Sequence, residues 1–154
     1  LKKLEDMGVL KMIITRDIFS LAHRAGCKNV IELHGSVYHN ECPHCRRKYP
    51  LEYIRDSKGV PRCENCGTTI RPQIVLAGEM VNNALSTKAA DEVSKADTLL
   101  LLGCDMSSVL AESFLRYFTG KRVILIHNRE HYADSKADLV IHGKSMDILA
   151  QLAL

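Results

Sequence analysis

An open α/β sheet with a four-cysteine zinc ribbon set into it is the fold this sequence predicts, on three observations. Short apolar strands alternate with stretches of helical periodicity along most of the chain. Thr98 to Leu102 is apolar without alternation, the pattern of a strand covered on both faces. Between Ile31 and Cys66 that rhythm stops and two Cys-x-x-Cys pairs appear, Cys42 with Cys45 and Cys63 with Cys66, seventeen residues apart. These divide the chain into an α/β segment over 1–36, a ribbon over 37–72 and a second α/β segment over 73–154.

Leu1, Leu4 and Met7 fall at helical spacing, and Gly8 ends that helix. The chain does not begin at Met and opens partway through this helix, so it reads as cut from a longer protein. Lys11 to Thr15 reads as a buried strand. From Asp17 the pattern is helical, with Ile18, Leu21, Ala22 and Ala25 on one face and Gly26 as the stop. Asn29 to Leu33 is a second strand, so the two form a parallel βαβ unit with a right-handed crossover.

Beyond the ribbon, Gln73 to Leu76 is a strand and Asn83 to Lys95 a helix burying Leu85, Ala89 and Val93. Thr98 to Leu102 is the next strand. Ser107 or Ser108 caps a helix carrying Leu110, Phe114, Leu115 and Phe118, which runs to Gly120. Arg122 to His127 and Leu139 to Ile141 are strands, and Ser145 caps a last helix with Ile148, Leu149 and Leu152.

The spacing of the two cysteine pairs matches a ribbon in which four thiolates close a tetrahedral shell around one zinc ion. Gly67, directly after the second pair, gives that turn the freedom it needs. Two disulfides or four unrelated thiols are the other readings; disulfides require an oxidising compartment, and no apolar secretory segment opens the chain. A shell of four protein ligands leaves no open position, so zinc here is structural and any chemistry lies elsewhere.

At 154 residues and 46% hydrophobic, the chain can bury one good core, or one core with a small metal-held lobe. Its formal charge of +3 is mild and its basic residues are interleaved with acidic ones, which argues against direct nucleic-acid binding. The one basic cluster, Arg46 to Lys48, reads as a solvated rim of the ribbon. No apolar run is long enough to span a membrane. With four cysteines assigned to zinc, Cys27 and Cys104 remain as free thiols, which predicts a cytoplasmic protein.

Ligands of open α/β sheets bind outside the carboxyl ends of the strands. Here those ends carry Thr15-Arg16-Asp17, His34-Gly35, Gly103-Cys104-Asp105 and His127-Asn128. A single His after a strand is more often a cap or core residue than a catalyst. It is the gathering of polar and small residues at one rim that points to a nucleotide site.

V-I-E-L-H-G (30–35), the four-cysteine ribbon, R-P-x-x-V-x-x-G-E (71–79), A-D-x-L-L-x-x-G (96–103) and A-D-L-V-I-x-G (137–143) stand in the order seen in sirtuins, and the chain resembles that family over nearly its whole length. The resemblance implies NAD-dependent protein-lysine deacylation, a Rossmann-like parallel sheet and a zinc-bearing small domain. His34 is then the general base that activates a ribose hydroxyl. Thr15, Arg16, Asp17, Gly103, Cys104, Asp105 and His127 or Asn128 line the NAD site. Val75, Gly78 and Glu79 lie on the segment that pairs with an acylated-lysine peptide or protein by strand addition.

The chain departs from the family's usual pattern at several of these positions. T-Q-N-I-D is Thr15-Arg16-Asp17-Ile18-Phe19, G-T-S is Gly103-Cys104-Asp105, the aromatic before Gly78 is Ala77, and I-N is Ile126-His127. The family's first strand and its G-A-G-x-S loop, which cradles the pyrophosphate, do not occur in this chain. The fold expected is therefore a Rossmann-like sheet lacking that strand. Its seam closes either by direct pairing of the 11–15 and 98–102 strands or by self-association. The alternatives to a deacylase, inactive by itself as this piece, are a non-catalytic zinc-bearing interaction module and an NAD-dependent ADP-ribosyl transferase.

Overall fold

The computed structural model describes residues 1–152. By their contacts they form two compact units, one holding Leu1, Lys3–Lys11 and the chain from Ser86 onward, the other Lys2 and Met12–Leu85. The strands form three separate sheets.

In the Met12–Leu85 unit, strand β1 (Ile13–Thr15) pairs in parallel with β2 (Val30–Glu32), Ile14 opposite Ile31. The parallel βαβ unit is thus present, but its helix α2 (Leu21–Arg24) is much shorter than the periodicity from Asp17 predicts. The cause lies in Asp17, whose carboxylate accepts from the Phe19 N–H at 3.0 Å and the Leu21 N–H at 2.7 Å and so holds the backbone in a turn. Ser20 follows at φ 51, and its hydroxyl is hydrogen-bonded to that of Ser36 at 2.7 Å in a buried position. Leu21, meant for the buried face, is 58% exposed.

The same unit holds an antiparallel sheet in the order β4 (Lys48–Tyr49), β3 (Gly35–Glu41), β5 (Arg71–Ile74), with helix α3 (Leu51–Arg55) beside it. β5 therefore belongs with the ribbon's strands and not with the parallel sheet, and it straddles the boundary expected at residue 73. Gly35 faces Ile74 in this ladder, and a Cβ at residue 35 would lie 1.9 Å from the Gln73 carbonyl oxygen, so only glycine admits the close approach of β3 to β5. Cys42, Tyr49, Cys63 and Ile70 form the buried cluster, with Cys45, Tyr53 and Ile54 against it.

The other unit contains helix α1 (Lys2–Asp6) in large part, most of helix α4 (Asn83–Ser94), and a parallel sheet in the order β6 (Thr98–Leu102), β7 (Arg122–His127), β8 (Leu139–His142). Helix α5 (Val109–Leu115) starts at Ser108, whose Oγ accepts from the Ala111 N–H at 3.2 Å, which decides between the two expected caps. Helix α6 (Ser145–Ala150) is not capped by Ser145: that residue is its first, and its hydroxyl donates instead to the Ile126 carbonyl at 3.1 Å.

The full coverage expected of β6 belongs to β7, the central strand, in which Val123, Leu125, Ile126 and His127 are buried, whereas none of β6 is fully buried. Leu125 is 0% exposed and packs in a cluster with Met106, Val123 and Ala133; truncating it to Ala removes a contribution of about 2–5 kcal/mol. β1 pairs only with β2, and β6 only with β7, among the described residues. Direct pairing of β1 with β6, the first of the two expected closures, is thus not formed. No described helix is long and apolar enough to cross a membrane.

Candidate metal centre and rim residues

The four ribbon cysteines converge, their sulfurs all within 4.8 Å of one another. Cys42 and Cys66 lie 3.4 Å apart, Cys45 and Cys63 3.4 Å, and Cys45 and Cys66 3.8 Å, and none is disulfide-bonded. A tetrahedron of thiolates each about 2.3 Å from one zinc has edges of about 3.8 Å. The donor set and its spacing fit zinc.

Local backbone builds this site twice. In the first knuckle the Cys42 carbonyl accepts from the Arg46 N–H at 3.0 Å, and the Cys42 N–H donates to the Arg47 carbonyl at 2.9 Å. In the second, Cys63 makes the same pair of bonds with Gly67 and Thr68, both at 2.8 Å. Thr68 holds the Cys66 thiol down to about 5, its side chain first and its backbone second. A hydrogen bond from the Tyr49 hydroxyl, at 3.2 Å, likewise lowers Cys63. Cys42 stands against this trend: the Cys45 N–H lowers it, but burial and the neighbouring thiols outweigh that bond and push it up to about 11. Metal binding must therefore release a proton there.

Tyr49 was not among the residues the sequence singles out. It supports the centre from both sides, donating to Cys63 Sγ and accepting from the Glu64 N–H at 2.9 Å, while burial and the bond to Cys63 raise its own hydroxyl to about 12. A lone tyrosine four residues after a knuckle carries no periodic or spacing signal.

The rim residues divide between the two units. In the first, His34 follows β2 and is half-buried; its carbonyl accepts from the Val75 N–H at 3.0 Å. Burial and, second, the positive charge of Arg16 push its imidazole below the ordinary value. Thr15 Oγ1 accepts from the Asp17 N–H at 3.0 Å, Arg16 is exposed, and the Asp17 carboxylate is spent on the turn into α2. Gly78 and Glu79 are exposed in a turn after β5, closed by the Glu79 N–H on the Leu76 carbonyl at 3.0 Å.

In the second unit, Gly103 leaves β6 with its N–H on the Ile126 carbonyl at 2.9 Å. Cys104 and Asp105 follow, both half-buried. The Asp105 carboxylate accepts from the Ser107 N–H at 2.9 Å and hydroxyl at 2.7 Å, and the hydroxyl, ahead of the other contributions, holds it below the usual carboxylate range. His127 ends β7 and Asn128 follows it, the first 5% exposed and the second open to solvent.

His127 belongs to a cluster that the sequence did not reveal. Its Nε2 and that of His142 lie 3.2 Å and 3.0 Å from Asp134 Oδ2, which also accepts from the His131 N–H at 2.9 Å. Burial alone would raise Asp134, but the bonds from His142, His131 and His127 outweigh it and hold the carboxyl at about 2.

The sequence profile of the Sir2 family matches residues 1–109. An NAD-dependent protein deacetylase of Clostridium perfringens is 43% identical over 153 residues, which is 99% of this chain and 63% of that protein. One of Cutibacterium acnes is 38% identical over 157 residues, covering 100% of this chain and 64% of its own length. The chain thus spans less than two thirds of these curated relatives. Among solved structures, Sir2 bound to the inhibitor EX-527, 2'-O-acetyl-ADP-ribose and a deacetylated p53 peptide superposes with a TM-score of 0.86 at 31% identity, over 97% of this chain and 66% of that one. A Sir2–p53 peptide–NAD+ complex gives 0.85 at 30%, over 97% and 65%.

Proposed function

Because the chain belongs to the Sir2 family, we propose that the protein it represents is an NAD-dependent protein-lysine deacylase in which His34 is the general base. NAD supplies an electrophilic anomeric carbon and nicotinamide as the leaving group. The chain's part is to hold the reactants and move one proton. The acyl oxygen of the modified lysine would attack the anomeric carbon as nicotinamide leaves, and His34 would take the proton of a ribose hydroxyl, activating that hydroxyl oxygen as the nucleophile of the step that follows.

The observation that carries this reading is the state of His34. A general base must be unprotonated at working pH, and burial, with the Arg16 charge second, shifts this imidazole toward its neutral form. Its backbone is held on both sides, by β2 before it and by the Val75 N–H on its carbonyl. That bond also ties the base to the segment of Val75, Gly78 and Glu79, to which we assign the acylated peptide, laid along it as an added strand.

On the cofactor side, Thr15, Arg16, Asp17, Gly103, Cys104 and Asp105 remain the assigned contacts, with Arg16 supplying the cation that a pyrophosphate requires. For the adenosine end, exposure favours Asn128 over His127, whose ring is engaged with Asp134. Zinc on Cys42, Cys45, Cys63 and Cys66 holds the ribbon and takes no part in the reaction. Six cysteines with no disulfide among them suit a reducing compartment, consistent with the cytoplasm. The outer edges of β1 and β6, unpaired among the described residues, are where self-association would occur.

The test is His34→Ala in a form of the protein that turns over an acetyl-lysine peptide with NAD. Turnover falls by about a hundredfold to ten-thousandfold while the fold is kept. An unchanged rate refutes the assignment.

A further inference from the structure

We propose that His127, Asp134 and His142 form a second metal site, built for a divalent first-row transition ion such as zinc. The two histidines stand opposite each other in the parallel register of β7 and β8, and the turn that carries Asp134, Tyr132–Lys136, lies on the connection between those strands. Three elements therefore aim one ligand each at a common point, and the ligand atoms all lie within 4.8 Å of one another. The separations of 3.2 Å and 3.0 Å from the imidazole nitrogens to Asp134 are close to the ~3.4 Å expected between ligands each about 2.0–2.2 Å from one tetrahedral ion.

A second, independent observation is the carboxylate itself. Asp134 is only 9% exposed, and its Oδ1 is buried with no hydrogen-bond partner, although His127 Nε2 lies 3.2 Å from it. A buried carboxylate oxygen left without a donor is costly, and a cation between it and the imidazoles would meet that need. The neighbouring residue acts as a support: the His131 N–H donates to Asp134 Oδ2 and its ring Nδ1 accepts from the Ala133 N–H at 3.3 Å, while the clustered ligand atoms are those of His127, Asp134 and His142.

Access and coordination number follow from exposure. His127 is 6% exposed in its side chain and His142 40%, so the site is closed on the β7 side and open to solvent beyond β8. Three protein ligands with one open position describe a site that keeps a water or an exogenous ligand, unlike the closed shell of the ribbon. Two imidazoles and a carboxylate suit an ion of borderline softness over magnesium or calcium. The site does not depend on the deacylase reading, since neither His34 nor the ribbon takes part in it.

Zinc per chain, measured by plasma emission spectroscopy after equilibrium dialysis against buffered zinc, decides the matter for the full chain and for His142→Ala. The expected result is two equivalents for the unmodified chain and one for the variant. Equal contents in the two proteins overturn the proposal, whether one equivalent or two. A second readout does not depend on the variant folding: in the unmodified chain the second equivalent shifts the imidazole resonances of His127 and His142, and their failure to move overturns it equally.

Discussion

The guanidinium of Arg71 pairs with the carboxylate of Glu79, so that the first and last residues of the R-P-x-x-V-x-x-G-E stretch close on each other. Glu79 Oε2 also accepts from the Leu76 N–H at 2.9 Å, and both bonds hold its carboxyl below the usual range, the one from Arg71 the more strongly. The two side chains are 48% and 38% exposed, which limits the pair to less than about 1 kcal/mol of stability. Its effect is on the shape of the 75–79 turn.

Glu79→Ala is accordingly expected to leave denaturant stability within about 1 kcal/mol of the unmodified chain while the Leu76 amide loses its protection from hydrogen exchange. Exchange read by NMR or mass spectrometry checks this. Protection that survives the substitution would show that the turn is held without the ion pair.

The depressed imidazole of His34 has a sign that can be worked out. A histidine that binds its proton less readily folded than unfolded contributes stability in full above about 6.5, and loses it as pH falls through the lower folded value. The acid limb of kcat/KM should therefore lie below about 6.5. Removing the Arg16 charge with Arg16→Ala should move both that limb and the His34 NMR titration upward. A midpoint that stays in place assigns the depression to burial alone.

Much of this was legible in the sequence because it rests on local signals. Thr98 to Leu102 and Arg122 to His127 match β6 and β7 residue for residue, since a short apolar run bounded by turn residues has the length of a strand and is too short for a helix. The four cysteines were found by spacing. What was hidden depends on tertiary partners. Asp17 looks like the entry to a long helix until its carboxylate is seen to cap a turn. β5 looks like a strand of the parallel sheet until Gly35 is seen to bring it against β3. Asp134 and His142 stand in an ordinary polar turn and at a strand end, and only the register of β8 on β7 brings them to His127.

Tyr49 gives the ribbon a support whose removal is measurable. Its hydroxyl is buried between Cys63 Sγ and the Glu64 N–H, so Tyr49→Phe keeps the packing of the ring and deletes both hydrogen bonds. Partners behind metal ligands typically account for about 10–100-fold in affinity. Zinc affinity measured against a competing chelator should fall by that order. An unchanged affinity would mean that Cys63 does not need the phenol to act as a thiolate.

The two knuckles share a backbone and differ in how they meet its demand. Each requires a left-handed residue directly after its second cysteine, and the chain supplies Gly67 at φ +70 in one and Arg46 at φ +62 in the other. Left-handed backbone costs a side-chain-bearing residue about 1–2 kcal/mol, so the first knuckle is strained where the second is not. Arg46 recovers little of this through its ion pair with Glu41, because its side chain is 74% exposed. Nothing lies within 4 Å of a Cβ built on Gly67, so Gly67→Ala isolates the backbone term from any clash. It should destabilise the zinc-loaded ribbon by about 1–2 kcal/mol. Arg46→Gly should stabilise it by less, about 0.5–1 kcal/mol, since glycine also loosens the unfolded chain. Denaturation of the zinc-loaded chain measures both. Opposite signs are the expected outcome, and a Gly67→Ala chain as stable as the unmodified one would show that the knuckles impose no such demand.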